Sequence, residues 1–376
     1  MEMNRAVTGM KPSGIRRITA EAKRTPGCIS LTLGEPDFDT PPEICARTKR
    51  ALDEGFTHYP PNAGYETLRK QIAAYENGRH GTDYTADEVI VTCGSTEAIA
   101  GALIAILNPG DEVIVPVPAF GLYEQLIAIA GGVYVPLHTE EDGFQITAER
   151  LLPCLTPRTK AILVTTPNNP TGCVLNAPSL ALLSGVARER DLFLLLDGVY
   201  DRLTYRDDIP HLMDDPTIKE RLIALQSFSK PFAMTGWRVG YSVADAAVTR
   251  QMLKVHAALV VSAPAFVQRG CEGIFETDIE PMRCRYQERR DYVLGRLSRM
   301  GLEAVRPDGA FYVFPSIAPF GMTSEDFAMR LMREAGVAVV PGSCFGVEGF
   351  VRITYCYSDE ELREGMDRLE RFVRAL

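Results

Sequence analysis

LIALQSFSKPFAMTGWRVG (residues 222–240) opens as a continuously apolar run and closes as a polar turn around one lysine, one tryptophan and one arginine. An apolar segment this short and uninterrupted reads as a strand buried on both faces. Four earlier runs share its character: VIV at 89–91, VIVPV at 113–117, AILVTT at 161–166 and LFLLLD at 192–197. Helix-like stretches separate all five, and that alternation predicts a mainly parallel sheet in an α/β domain. Ligands of such sheets bind beyond the carboxyl ends of the strands. The polar motifs fall there. CGST follows the first run in chain order, PNNPTG the third, DGVY closes the fourth, and SFSK follows the fifth.

With 376 residues the chain exceeds the size at which one hydrophobic core usually stops growing, so two domains are expected. Beyond about residue 280 the pattern changes to a charged helix (MRCRYQERRDYVLGRLSRM), the short strands GAFYVFP, VAVVPG and VRITYCYS, and a closing amphipathic helix (DEELREGMDRLERFVRAL). This is α+β organisation. The expected division is an arm and part of a small domain over 1–45, a large domain over 46–278 and a small C-terminal domain over 279–376, with the segment up to Pro42 irregular and packed on the small domain and on a partner. Lys plus Arg number 40 against 49 Asp plus Glu, a formal charge of -9, which argues against a broad nucleic-acid or anionic-membrane surface. The 9 cysteines are scattered and never spaced C-x-x-C, so neither a disulfide framework nor a metal site is signalled. No run reaches the roughly 18 apolar residues that span a bilayer, and no signal-peptide pattern opens the chain. A soluble cytoplasmic protein is expected.

Lys230 lies among hydroxyl donors, and Arg238 follows it beyond the Gly-Trp pair. That layout suits pyridoxal phosphate: the amine forms a reversible imine with the cofactor aldehyde, while Arg238 and the Ser227 hydroxyl hold the phosphate. Taken alone, the two cations would more often be solvated surface charges. In VTCGSTEAIAGALIAIL (residues 91–107), Gly94, Ser95 and Thr96 stand where a strand meets an apolar helix, offering N–H groups, a helix dipole and two hydroxyls to a small anion. A simple helix cap would explain the same residues; beside Arg238 they read as a phosphate cup. Asp197 ends a wholly apolar strand and needs a cation, which a protonated pyridine nitrogen supplies; a helix cap is the alternative. Tyr200 and Asn169 are candidates to address the cofactor's phenolic oxygen, against packing for the one and turn chemistry for the other. Phe120 either stacks on the pyridine ring or belongs to the core. Arg352, inside the apolar VRITY strand, needs a planar anion, either a substrate α-carboxylate or an internal acid.

Together these residues resemble the class I aminotransferases of fold type I. LTLGEPDFDTP, THYPPNAGYETLR, PNNPTG, DGVY, SFSKPFAMTGWRVGY, GAFYVFP and VRITY stand in that family's order and at its approximate spacing, over essentially the whole chain. The resemblance implies a pyridoxal-phosphate-dependent exchange of an amino group between an L-amino acid and a 2-oxo acid, with no metal. It makes Lys230 the Schiff-base lysine and proton shuttle, pairs Asp197 with the pyridine nitrogen, and directs Tyr200 and Asn169 to the phenolic oxygen. It assigns Gly94, Ser95, Thr96, Ser227 and Arg238 to the phosphate, Phe120 to ring stacking, and Gly34, Asn169 and Arg352 to the substrate. Tyr59 would reach the phosphate of a neighbouring subunit, which implies a homodimer with shared sites.

SGIRR, MLKVH and FPSIAPFGMTSEDFAM look closest to the bacterial N-acetyl-LL-diaminopimelate aminotransferases of lysine biosynthesis and their aspartate- and aromatic-accepting relatives. Gly198 departs from the family, which usually carries Glu or another larger residue there, and a looser turn is expected. Thr96 stands where some aspartate-specific members have lysine, so a pocket for long or bulky side chains is expected, walled by neutral groups near Ile15. A C–S lyase on the same fold is the nearest rival. A cofactor-sensing regulator would need a DNA-binding domain ahead of LTLGEPDF, where about thirty residues are too few to build one.

Overall fold

The computed structural model describes residues 1–376. A seven-stranded sheet forms its centre: β1 (Val89–Thr92), β2 (Glu112–Val117), β3 (Val133–His138), β4 (Thr159–Thr165), β5 (Phe193–Asp197), β6 (Leu222–Ser227) and β7 (Gly240–Ala244), in the spatial order β1-β7-β6-β5-β4-β2-β3. β3, β2, β4, β5 and β6 run parallel, while β7 lies antiparallel between β6 and β1. Period-two alternation divides the apolar side chains between two cores. Leu194 and Leu196 enter one cluster with Ile162, Val164 and Leu222; Leu195 enters the other with Leu163, Ile223 and Leu225. A sheet covered on both faces explains why its strands read as continuous apolar runs.

Two of these strands escaped the sequence pattern. β3 is an edge strand with Val133, Pro136 and His138 exposed or half-exposed, so it lacks an apolar run. β7 lies hidden in the tail of the RVGYSVA motif although all of its residues are buried. Its direction matters for the site: because it returns antiparallel beside β6, Gly240 pairs with Ser227 and brings the turn carrying Arg238 back to the end of β6.

A second, smaller sheet is made by β8 (Tyr312–Val313), β9 (Val340–Pro341) and β10 (Val351–Thr354), in the antiparallel order β9-β10-β8. The helices Glu280–Arg299, Ser324–Ala335 and Asp359–Ala375 share a core with it, including Tyr286, Phe327, Leu331, Leu369, Val313 and Ile353. Tyr200, Leu203 and Tyr205, from the turn after β5, enter that same core.

The first forty residues are not irregular. Ser13 caps a helix over Gly14–Arg24, its hydroxyl accepting the Arg16 N–H, and Ile18 and Ala22 pack with Met332 and Ala338. Ile29–Ser30 then pairs in parallel with Val337–Ala338. The helix's apolar stripe is narrow, Ile18 and Ala22 being separated by Thr19, Ala20 and Glu21, which is why the sequence pattern does not reveal it. No helix is long and apolar enough to cross a membrane.

Candidate active site

Asp197 ends β5 between Thr165 of β4 and Leu225 of β6, at the carboxyl edge of the sheet. Its carboxylate is buried, accepting the Tyr123 hydroxyl at 2.6 Å and the Val199 N–H at 3.1 Å. No lysine, arginine or histidine of the chain pairs with it. Burial, partly offset by those two donors, pushes its pKa up to about 6.

Lys230 stands one turn beyond β6, its Nζ donating to the Gly34 carbonyl at 2.7 Å. Burial, with Arg352 and Arg238 nearby, pushes the amine down to about 8, which raises the fraction of free amine near neutral pH. The Ser227 hydroxyl accepts the Ser229 N–H and keeps its own proton for a ligand. Arg238 takes φ 54°, a left-handed conformation costing an ordinary residue on the order of 1–3 kcal/mol, and its Nη1 donates to the Thr235 carbonyl. Gly94, at φ 86°, caps helix α1 (Ser95–Ile106), and a Cβ there would lie 2.7 Å from Arg238 Nη2. Gly94, Ser95, Thr96, Ser227 and Arg238 therefore converge on one cup at a helix N-terminus.

Arg352 of β10 is buried without an acidic partner. Its Nη1 donates to Asn169 Oδ1 at 2.8 Å, its Nη2 to the Thr32 carbonyl, and its Nε has no partner. With Oδ1 of Asn169 so occupied, the Nδ2 donor is left for a ligand. The Arg352 guanidinium lies 4.6 Å from the centre of the Tyr312 ring, and the Tyr312 hydroxyl meets that of Tyr200 at 2.6 Å. A side chain at Gly34 would overlap the Tyr312 hydroxyl, so this position tolerates only glycine.

A buried carboxylate without a cation, a lysine of lowered pKa and an anion cup at one edge of the large sheet, with a guanidinium lacking an acid on the small sheet, are components that suit amino-group transfer on pyridoxal phosphate. Comparison with known proteins agrees. The family model for aminotransferase class I and II matches residues 26–369. A probable N-acetyl-LL-diaminopimelate aminotransferase of Bacillus subtilis is 42% identical over 96% of this chain and 93% of its own, and an aspartate aminotransferase of Pyrococcus horikoshii 41% identical over 96% and 95%. The solved structure of Thermus thermophilus aspartate aminotransferase with maleate superposes with a TM-score of 0.92 at 38% identity, covering 99% of both chains.

The chain belongs to the class I and II aminotransferases. This aminotransferase has that family's fold and is a pyridoxal-phosphate-dependent enzyme exchanging an amino group between amino acid and oxo acid. Its own residues fit the cofactor: Asp197 lacks the cation that a pyridinium would provide, and the Gly94–Arg238 cradle is filled by any added Cβ.

Of the residues picked from the aminotransferase's sequence, Tyr59 is not brought to the others; it stands 85% exposed on the loop after Pro42–Asp53. Phe120 is half-buried, its ring edge-on to Tyr123 at 6.0 Å. The turn at Gly198 is not loosened: the Gln226 side chain fills the space a residue-198 side chain would take, and the Gly198 N–H donates to the Leu225 carbonyl at 2.9 Å. Sequence reasoning missed Tyr123, Thr32 and Tyr312. Tyr123 lies in the stretch PVPAFGLYE around Phe120 and Tyr312 in GAFYVFP, but an aromatic among apolar residues carries no signal of its own.

Proposed function

We propose that Lys230 is the cofactor-bearing lysine and the proton carrier of this aminotransferase, with Asp197, Tyr200 and Asn169 addressing the cofactor ring. Gly94, Ser95, Thr96, Ser227 and Arg238 hold its phosphate, Phe120 flanks the ring, and Gly34 and Arg352 receive the amino acid. The observation that carries this reading is the buried, cation-free Asp197 on the same sheet edge as a lysine whose pKa is pushed down to about 8.

When bound, pyridoxal phosphate supplies an aldehyde that condenses with amines and a ring that withdraws electrons from the substrate α-carbon. The chain's residues do the rest. Asp197 keeps a proton on the ring nitrogen through charge; Tyr123 fixes the direction of that carboxylate. Nζ of Lys230 would carry a proton from the amino acid's α-carbon to the cofactor's C4′, and in the opposite half-reaction from C4′ to the α-carbon of the oxo-acid partner. Arg352 orients the α-carboxylate bidentately, and the planar fork restricts substrates to those with that group free.

The donor side chain meets neutral walls in this proposal. Ile15 packs against the apolar cluster that also holds Phe120, Cys344 and Phe350, and Arg17 on the same helix is engaged by Glu325 at 2.6 Å. This supports acceptance of long or bulky donors, an acylated diaminopimelate or an aromatic amino acid, with glutamate and 2-oxoglutarate as the other couple. Lysine biosynthesis in the cytoplasm is the matching setting. The exposed Tyr59 supports a homodimer in which each subunit completes the other's phosphate cup, and the two sheets support a division near residues 45 and 279.

Half-reactions across a panel of amino acids, followed by loss of the bound cofactor's visible absorbance, test the pocket. Long and aromatic donors should react at rates comparable to or above aspartate; a hundredfold preference for aspartate over all of them refutes it. Borohydride reduction and peptide mapping should place the pyridoxyl group on Lys230, and a pyridoxyl group on any other lysine overturns that role.

A further inference from the structure

We propose that Tyr312 is a positioning residue whose hydroxyl donates to Tyr200 and thereby aims and strengthens the hydrogen bond that Tyr200 gives the cofactor's phenolic oxygen. The inference rests on the role of Tyr200 proposed above. Each phenol has one proton to give. The two hydroxyls are 2.6 Å apart, so one of them donates to the other. If Tyr200 spends its proton on the cofactor, Tyr312 must be the donor of the pair, and a hydroxyl that accepts one hydrogen bond becomes a better donor in the next.

The surroundings leave Tyr312 little freedom to turn away. Its ring is held beneath the Arg352 guanidinium, with Phe345 also within 5.0 Å of that cation, and edge-on to Tyr200 at 5.5 Å between ring centres. Its hydroxyl abuts the Cα of Gly34, where any side chain would overlap it, and the Gly34 carbonyl holds Lys230. Tyr312 belongs to β8, which pairs with β10, the strand carrying Arg352, whereas Tyr200 follows β5 of the large sheet. The phenol pair thus ties the substrate-carboxylate strand to the cofactor's phenolic oxygen across the gap between the two sheets.

Neither phenol ionises in the working range: burial pushes Tyr312 up to about 12 and Tyr200 well above the ordinary tyrosine value. The charged and titratable groups facing the pair are Arg352, Asp197, Cys356 and Tyr123, with Lys230 held close by through the Gly34 carbonyl. Cys356 is pushed up to about 12 by burial and stays a thiol. Asp197, Arg352 and Lys230 are unchanged in a variant that lacks only a hydroxyl, so their contributions cancel against wild type.

The test is the pH titration of the bound cofactor's visible absorbance in wild type, Tyr312→Phe, Tyr200→Phe and the double variant. With the cofactor in place, a proton shared between its phenolic oxygen and the Lys230 nitrogen would be held less tightly where a residue donates to that oxygen. Losing the Tyr312 hydroxyl should therefore raise the midpoint, by about 0.5 pH unit or more. Phenylalanine keeps the ring under Arg352, so the fold and cofactor content should remain at wild-type level. In the Tyr200→Phe background, Tyr312→Phe should add less than about 0.2 unit, since it acts through Tyr200. A midpoint that moves in Tyr200→Phe but not in Tyr312→Phe overturns this inference alone. Additive shifts overturn it too, by giving Tyr312 a direct effect. If Tyr200→Phe itself leaves the midpoint in place, the role of Tyr200 falls, and this inference with it.

Discussion

Lys230 and Asp197 hold opposite charge problems that the cofactor, in the proposed arrangement, would resolve. Lys230→Ala should retain cofactor through the Gly94–Arg238 cup yet lose at least about 10³-fold in turnover, the scale of a positioned proton carrier. A rate within tenfold of wild type in single-turnover assays would assign the proton to another group. Asp197 makes a prediction about the apo-protein. Its pKa in the fold is raised to about 6 from an ordinary 3.8, so the fold binds the proton more tightly than the unfolded chain does. Keeping that carboxylate charged is a penalty that is absent below about pH 4 and fully present above about pH 6. Asp197→Asn removes it. The apo variant should be more stable than wild type at pH 7 by up to about 3 kcal/mol, the difference vanishing near pH 4, while turnover of the loaded enzyme falls by orders of magnitude. Denaturant unfolding at the two pH values checks the first, and equal apo stabilities at pH 7 would show that Tyr123 and Val199 already compensate the charge.

Among the elements, the strand–helix junction between β1 and α1 depends on one glycine. Gly94 at φ 86° lets the chain turn into the helix with its backbone close against the Arg238 guanidinium. Gly94→Ala adds both left-handed strain and a methyl 2.7 Å from Arg238 Nη2. The expected outcome is a cofactor dissociation constant raised about tenfold or more, with the thermal midpoint of the apo-protein lowered by a few degrees. Equilibrium dialysis against pyridoxal phosphate reads the first, and an unchanged constant would place the phosphate elsewhere. The antiparallel return of β7 supplies the other half of this cup. Reversing or slipping that strand by one residue would turn Arg238 away from Ser227.

The proposed pairing of two chains sets the last prediction, for which Tyr59 is the marker. A tyrosine left 85% exposed on a loop, in a chain whose other site residues, Arg238 apart, are buried or half-buried, completes nothing within its own subunit. If it completes a partner's cup, Tyr59→Ala weakens cofactor binding, and mixing Tyr59→Ala with Lys230→Ala subunits creates hybrid dimers in which one site carries both lesions and the other carries none. Random mixing leaves about a quarter of all sites intact, so activity should rise above the sum of the two parents toward that level. Absence of any recovery in co-refolded mixtures that sizing shows to be dimeric would refute shared sites.

The alternation of apolar strands and helices, the change of organisation near residue 280, and the polar motifs at strand ends were all legible in the order of residues, because periodicity and turn chemistry are local properties. Lys230, Asp197, Asn169, Arg238 and Arg352 were legible as candidates: a charge or amide beside an apolar strand is conspicuous wherever it stands. Tyr123 and Tyr312 were not conspicuous, since a tyrosine is at home in a core and its hydroxyl declares no partner. What joins Tyr123 to Asp197, Tyr312 to Tyr200 and Arg352 to Asn169 is the register of strands and turns 74, 112 and 183 residues apart in the chain. The sequence by itself determined which groups had to be satisfied; the tertiary structure alone decided which of them satisfy one another, because a hydrogen bond depends on tenths of an ångström that no local pattern specifies.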